Sequence, residues 1–551
     1  MTVDRPVDLA ILGGRIATMD PARSWASALA VRDGRIVAVG SDQTIRPHVG
    51  PRTRIIEARG RTVTPGFGDA HVHPVHAGLD NLRCQLRGSR GIPAYLDVIA
   101  AYAAAHPHET WIRGGGWSMD DFPAGIPTSA DLDRVVPDRP TILYSRDGHT
   151  AWVNSNALEL AGVTATTSDP EDGRIDRDAD GNPLGALQEG AVDLVQRLVP
   201  ATTRDELVAG LRNAQAELHS LGITSWQDAI IEPDHEEIAY VELAGRGELT
   251  ARVVGALWWE RSRGAEQIEE LVERRTRTTS DRYRATSVKI MQDGVVENFT
   301  AGVLEPYLGA DGQPTDNRGL SQVDPEALKG YVATLDELGF QPHFHALAER
   351  AVREALDAIE AARRANGLSD TRPHIAHIQV IHPDDIARFR ELGVVANAQP
   401  LWAVREGQME NLTIPFLGPE RSTWQYPFQS LLAAGATLAM GSDWSVSSAD
   451  PLLEMEVAVQ RTSDLYADDW PVFLPEQRID LMDALAGFTA GTAWVNHLEH
   501  ELGSIEVGKT GDFVVLDRDL FDRGEGKIRE SRVLATFIDG APVYEDPALT
   551  T

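Results

Sequence analysis

The stretch TPGFGDAHVHP, residues 64–74, sets His71 and His73 one residue apart, directly after a Pro-Gly turn signal. On a strand, residues i and i+2 face the same way, so the two imidazoles point together. Alone, such a pair is more often two polar side chains on a loop than two metal ligands. Further along, HFHALAER carries His343 and His345, HIAHIQVIH carries His374, His377 and His382, and MGSDWS carries Asp443. Imidazoles and a carboxylate without thiolates suit a hydrolytic zinc or a similar divalent ion. Spacing does not separate His343 from His345, which share a strand face, and His374 is expected to face opposite His377 and to pack structurally. His76, His106, His108, His219, His235, His382, His497 and His500 read as surface residues or as neighbours of the ligands. SVKIMQDG sets Lys289 among apolar residues. Burial disfavours its charged form. It is either a salt-bridged or snorkelling side chain, or a neutral amine that adds carbon dioxide to become a carbamate able to bridge two cations.

These residues need elements to carry them. GITSWQDAII, TSVKIMQDGV, FQPHFHAL, HIAHIQVI, GVVANAQPLW and GATLAMGSDWS are short apolar runs, and several are followed by helical stretches. In AERAVREALDAIEAARRANG, Val352, Ala355, Leu356 and Ile359 keep helical spacing and Gly367 suits the stop. HPDDIARFRELG is a second helix, and DPLLEMEVAVQR opens on Asp450 as N-cap with Pro451 at the first helical position. Strand–helix alternation over roughly 300 residues predicts an α/β fold, a (β/α)8 TIM-like barrel, whose sites lie at the C-terminal ends of its strands. The first sixty residues read instead as strands joined by tight turns, with Asp33-Gly34 marking a hairpin, and the far end does the same. Residues 1–64 plus 501–551 are therefore expected to form one small β-sandwich domain, with the barrel over 65–500. The region of about 78–200, rich in turns and Trp, reads as an insertion after the first barrel strand, with DRDADGNPLG as a hairpin loop. No Gly-rich phosphate loop follows an early strand, which weighs against nucleotide binding.

The chain has 551 residues, a formal net charge of −32 and a single cysteine, Cys84. Such a charge repels phosphate backbones and anionic lipid, so neither nucleic acid nor membrane is an expected partner. Cys84 reads as a small buried hydrophobe. The start of the chain shows no signal-peptide pattern and no apolar run is long enough to span a bilayer, so a cytoplasmic protein is expected.

The ordered segments PGFGDAHVHP, VKIMQDG, HFHALAERAV, HIAHIQ and MGSDW resemble the signatures of the amidohydrolase superfamily, and more narrowly its amidohydrolase-3 branch, which includes N-substituted formamide deformylases. The likeness runs on through GFTAGTAW and LGSIEVGKTGDFVVLD. By motif, the resemblance implies that His71, His73, Lys289, His345, His377 and Asp443 bind metal, one or two ions, most readily Zn2+. It selects His345 because Ala346 and Arg350 follow it, although HALAER stands here where relatives carry HAIGDR. With Lys289 carbamylated, one ion would take His71, His73 and Asp443, the other His345 and His377, with the carbamate between them.

The implied reaction is hydrolysis of a C–N bond, amide or N-formyl, in a small-molecule substrate, with Asp443 as general base and acid. SRDGHTAWVNSNAL offers His149, Asp147 and Asn154 as substrate contacts, and RGGGW offers Arg113 and Trp117. Trp152, Trp402, Trp424 and especially Trp444 are candidate apolar walls, which favours a substrate with an apolar or aromatic N-substituent. The rivals are a mononuclear deaminase of the same superfamily and a non-catalytic metal-dependent binding protein. A homodimer is expected from the resemblance.

Overall fold

A computed structural model describes residues 5–463, 470–522 and 527–550; the remaining parts of the three expected domain ranges lie outside the described residues. Eight parallel strands form one sheet in chain order: β1 (Phe67–Val72), β2 (Ile223–Ile231), β3 (Arg252–Trp258), β4 (Tyr283–Met291), β5 (Gln341–Ala346), β6 (His374–His377), β7 (Val395–Ala398) and β8 (Thr437–Met440). Helices pack outside it. In α1 (Glu349–Asn366), Val352, Ala355, Leu356 and Ile359 are buried and Gly367 ends the helix at φ +82°. In α2 (Pro451–Gln460), Asp450 caps the backbone amide of Leu452. The fold is the expected TIM-like barrel.

The sheet closes between β1 and β8 through groups at the end of β8. The amide of Asp443 donates to the His71 carbonyl (2.7 Å), and that of His73 to the Trp444 carbonyl (2.8 Å). Asp69, fully buried on β1, accepts from the Ser442 hydroxyl (2.6 Å) and amide. Gly441 is required here, because a Cβ would sit 2.4 Å from the His71 nitrogen.

The two chain ends pair as expected. Thr62–Pro65 lies between Arg15–Ala17 and Phe513–Leu516 in a six-stranded sheet that continues to Ala541–Glu545. Leu9–Leu12 belongs to a second sheet of four strands, and Ile11, Leu29, Val63, Phe513 and Phe537 share the core between them. The Asp33-Gly34 turn joins paired strands with both residues at positive φ. Arg252, at the start of β3, ties this sandwich to the barrel through Asp512 (2.7 Å), Asp539 (2.5 Å) and Glu501 (3.2 Å).

The insertion is more ordered than its turn-rich composition implies. It carries a six-stranded sheet of its own, from Cys84–Gln85 to Gly173–Arg177, with helix Ile92–Ala105 packed on it. DRDADGNPLG does turn between antiparallel strands, with Asp178 accepting the amides of Asp180 and Asn182. Cys84 is buried in this core, and burial pushes its thiol up to about 12. No helix of the described residues is long and apolar enough to cross a membrane.

Candidate metal centre

The barrel mouth gathers the chemistry. His71 and His73 leave β1, Lys289 lies near the end of β4, His345 on β5 and His377 at the end of β6, and Asp443 follows β8. All six line one cavity of about 670 Å3. His71, His73 and Asp443 place their ligand atoms within 4.8 Å of one another. Asp443 Oδ1 lies 2.9 Å from His73 Nε2 and 3.3 Å from His71 Nε2. His377 Nδ1 is 3.8 Å from the other carboxylate oxygen. The His345 and His377 rings meet edge to face with centroids 4.5 Å apart.

The protonation states suit ligation. Burial pushes His71, His345 and His377 well below the ordinary imidazole value, so they are neutral. Burial alone would raise Asp443, but the contact with His73, with Lys289 nearby, holds it low and ionised. Despite the short approaches, Asp443 Oδ1 finds no partner in hydrogen-bond geometry, and neither do His73 Nδ1, His345 Nδ1 and His377 Nδ1. Buried polar atoms are rarely left so. An oxygen that converges with imidazole nitrogens and lacks a hydrogen bond fits a divalent cation.

Lys289 is 2 % exposed. Its amine meets only His71 Nε2, at 3.3 Å, and no carboxylate lies within ion-pair distance of it among the described residues. Burial lowers it to about 8, partly offset by Asp443 and Asp228.

A second layer of polar side chains orients the first. His343 points below the mouth, where its Nε2 meets His71 Nδ1 at 2.8 Å and its ring lies against His374. This turns His71 Nε2 towards the cavity, the usual role of a ligand's outer partner. The structure thus separates the two β5 histidines by depth. His374 is also inside the barrel, with its Nδ1 3.0 Å from Asn397. The expectation that it faces away from His377 fails because His377 adopts φ +76°, which ends the strand alternation there. Gln399 accepts the His377 amide at 2.8 Å. Asp293 accepts the amides of Gly302, Leu347 and Ala348, lies 3.3 Å from His345 Nδ1, and is raised by burial to about 7.

Residues 54–544 match the amidohydrolase-3 model of the Amidohydrolase family. This chain belongs to that family. It is 31 % identical to Protein LONG AFTER FAR-RED 3 of Arabidopsis thaliana, over 98 % of this chain and 91 % of that one. It is 28 % identical to the N-substituted formamide deformylase of Arthrobacter pascens, over 98 % of each. An uncharacterized metal-dependent hydrolase from Pyrococcus furiosus superposes with a TM-score of 0.70 at 26 % identity, covering 93 % of this chain and 99 % of that one.

The insertion brings further side chains of this amidohydrolase-family chain over the cavity. His149 lines it, with Nδ1 3.0 Å from Glu189. Burial would lower His149, but the Glu189 carboxylate outweighs it and lifts the imidazole to about 9. Arg113 lines the cavity and pairs with Glu206 at 3.1 Å. Asp147 also lines it, accepting the His149 amide. Trp402 stacks on His377 with the rings 5° from parallel.

Five expected contacts lie elsewhere. Trp152 is buried against Trp117 and Phe122, and Trp424 lies against His382. Trp117 is buried against Phe122 and Trp152, and its indole donates to the Leu143 carbonyl. Trp444 is buried in the barrel core and does not line the cavity. Asn154 is a buried cap whose side chain bonds the backbone of Thr141, Ala157, Val136 and Arg139. Sequence reasoning missed Glu189, Asp293 and Trp258, of which Glu189 and Trp258 line the cavity. Only Asp293 had a readable signal, an acid shortly after Lys289 in an apolar stretch.

Proposed function

We propose that this chain hydrolyses an amide or N-formyl C–N bond in a small molecule. The observation that carries the reading is the Asp443 oxygen that approaches the His71 and His73 imidazoles on the cavity wall without a hydrogen bond. His71, His73 and Asp443 would hold one divalent ion, zinc in our reading. His345, His377 and a carbamate on Lys289 would hold a second. Bound there, the metal supplies Lewis acidity and lowers the pKa of water to near 7.

The chain's own residues do the rest. Asp443 accepts a proton from the attacking water and passes it to the leaving nitrogen. His149, kept cationic by Glu189, donates a hydrogen bond to the substrate carbonyl oxygen as negative charge develops on it. The Lys289 amine, neutral in part because burial lowers it, bonds to the carbon of carbon dioxide and loses a proton to solvent. Trp258, Trp402, Met291 and Leu347 give the cavity an apolar wall for an aromatic or alkyl N-substituent.

The test is a panel of N-formyl and N-acyl aryl amines against small polar amides, with the metal-replete protein. Release of amine and carboxylic acid from the first group, absent with Asp443→Asn, supports the reading. Turnover of the small polar amides alone removes the apolar-substituent assignment. Ammonia release from amidine-type substrates alone replaces it with a deaminase, and failure on every substrate with metal bound leaves a binding protein.

A further inference from the structure

We propose that His76, His235 and Glu236 form a second, outer divalent-cation site on the wall of the same cavity, separate from the centre of His71, His73 and Asp443. His76 comes from helix Pro74–Asn81 just after β1, and His235 and Glu236 follow β2. The loops of two neighbouring barrel strands therefore meet at this point. Their ligand atoms lie within 4.8 Å of one another.

The geometry converges on one atom. Glu236 Oε1 is 3.2 Å from His76 Nε2 and 2.5 Å from His235 Nδ1. The other oxygen is already committed, accepting the Glu232 amide at 2.9 Å. The carboxylate is thereby fixed with a single oxygen turned to both imidazoles. The Glu236 side chain is 1 % exposed, whereas those of His76 and His235 are 43 % and 23 % exposed, and both imidazoles line the cavity. A buried anion behind two accessible imidazoles gives a cation both a seat and a way in.

The surroundings favour positive charge. Glu232, Asp234 and Asp80 line the same cavity, with Arg83 and with Arg87, which pairs with Asp80 at 2.9 Å. Two imidazoles with one carboxylate are a ligand set for zinc or a comparable transition ion, and a three-ligand set leaves further positions for water or a cavity ligand. The His73 and His76 rings lie 6.3 Å apart, so the outer site shares the cavity with the inner centre and no ligand with it. With three protein ligands against the larger inner set, the outer site fills second.

This inference does not rest on the hydrolytic reading, since it is read by metal binding alone. The full-length holoprotein, already charged at its inner centre, is titrated with Zn2+ and in parallel with Co2+. The expected result is one further equivalent of metal bound in a weaker phase, absent from His76→Asn and from His235→Asn. Zinc-edge anomalous diffraction on crystals of the unsubstituted protein soaked in Zn2+ covers the case in which either variant misfolds. A peak is expected about 2.0–2.2 Å from Glu236 Oε1 and the two imidazole nitrogens. Equal stoichiometry in all three proteins, or an anomalous map with no peak beside Glu236, overturns the proposal and leaves the trio a hydrogen-bonded cluster.

Discussion

The barrel buries charged side chains at both ends, and the two groups are built on opposite rules. At the end facing the sandwich, the Arg252 guanidinium is matched by Asp512, Asp539 and Glu501, and Arg282 adds a second cation on Asp539. Each charge there has a partner of opposite sign. At the mouth, Asp443 and three buried imidazole nitrogens lack hydrogen-bond partners, and among the described residues no acid lies within ion-pair distance of Lys289. His377 and Asp443 also adopt positive φ, a strained backbone for such residues. One end is ion-paired and holds domains together; the other leaves its carboxylate and imidazole atoms unpaired among the strands around it. A charge cluster signals chemistry when its partners are missing, not when it is merely buried.

That contrast breaks most sharply at Asp443. Asp443→Asn is expected to lower kcat about 10^3–10^4-fold, within the range of a lost acid–base group, while the thermal midpoint holds or rises. A large drop in the midpoint with turnover retained would place Asp443 with the structural end instead. Arg252→Met makes the mirror case. Removing one partner from a buried pair costs about 3–5 kcal/mol, so denaturant unfolding should shift by that amount while turnover per folded molecule stays unchanged.

His149→Gln tests the insertion's share of the mouth. Loss of one donor to a developing oxyanion typically costs about 10^2–10^3 in kcat. The pH profile carries the sign. His149 is lifted from 6.5 to about 9, so its attraction to Glu189 is fully present below 6.5 and is lost as pH rises through about 9. The alkaline fall in activity should disappear in the variant. Asp293→Asn, which loosens the loop behind His345, is expected to weaken activity or metal affinity roughly 10–100-fold. The smallest effect belongs to Trp117→Phe, for which KM should not move, since the indole never reaches the cavity; a shift would return Trp117 to the substrate wall.

What the sequence made legible follows the same division. The barrel could be read because its strands are apolar runs with chemistry at their ends, and the terminal strands because Asp33-Gly34 and similar turns punctuate alternating segments. Spacing brought His71 and His73 together but left His343 and His345 open, because depth within a barrel is invisible to a two-residue period. Trp444 was misplaced because it lies past the end of the last strand, beside an Asp443 at positive φ, where no local period sets a side chain's direction. His374 was misplaced because positive φ at His377 breaks a regularity the sequence assumes. Glu189 stayed hidden because its contact with His149 depends on how strands of the inserted sheet pair, which no local pattern specifies.

The seam between the first and last barrel strands carries one more consequence. Asp69 and Ser442 stand 373 positions apart and are bonded to each other, and the amide of Asp443 is tied to the carbonyl of His71. A polypeptide still emerging from the ribosome, or one cut short before the final strand, has its early histidines but not the acid that completes the trio. Such a fragment holds only part of the candidate centre, which is completed last, when the final strand closes the ring.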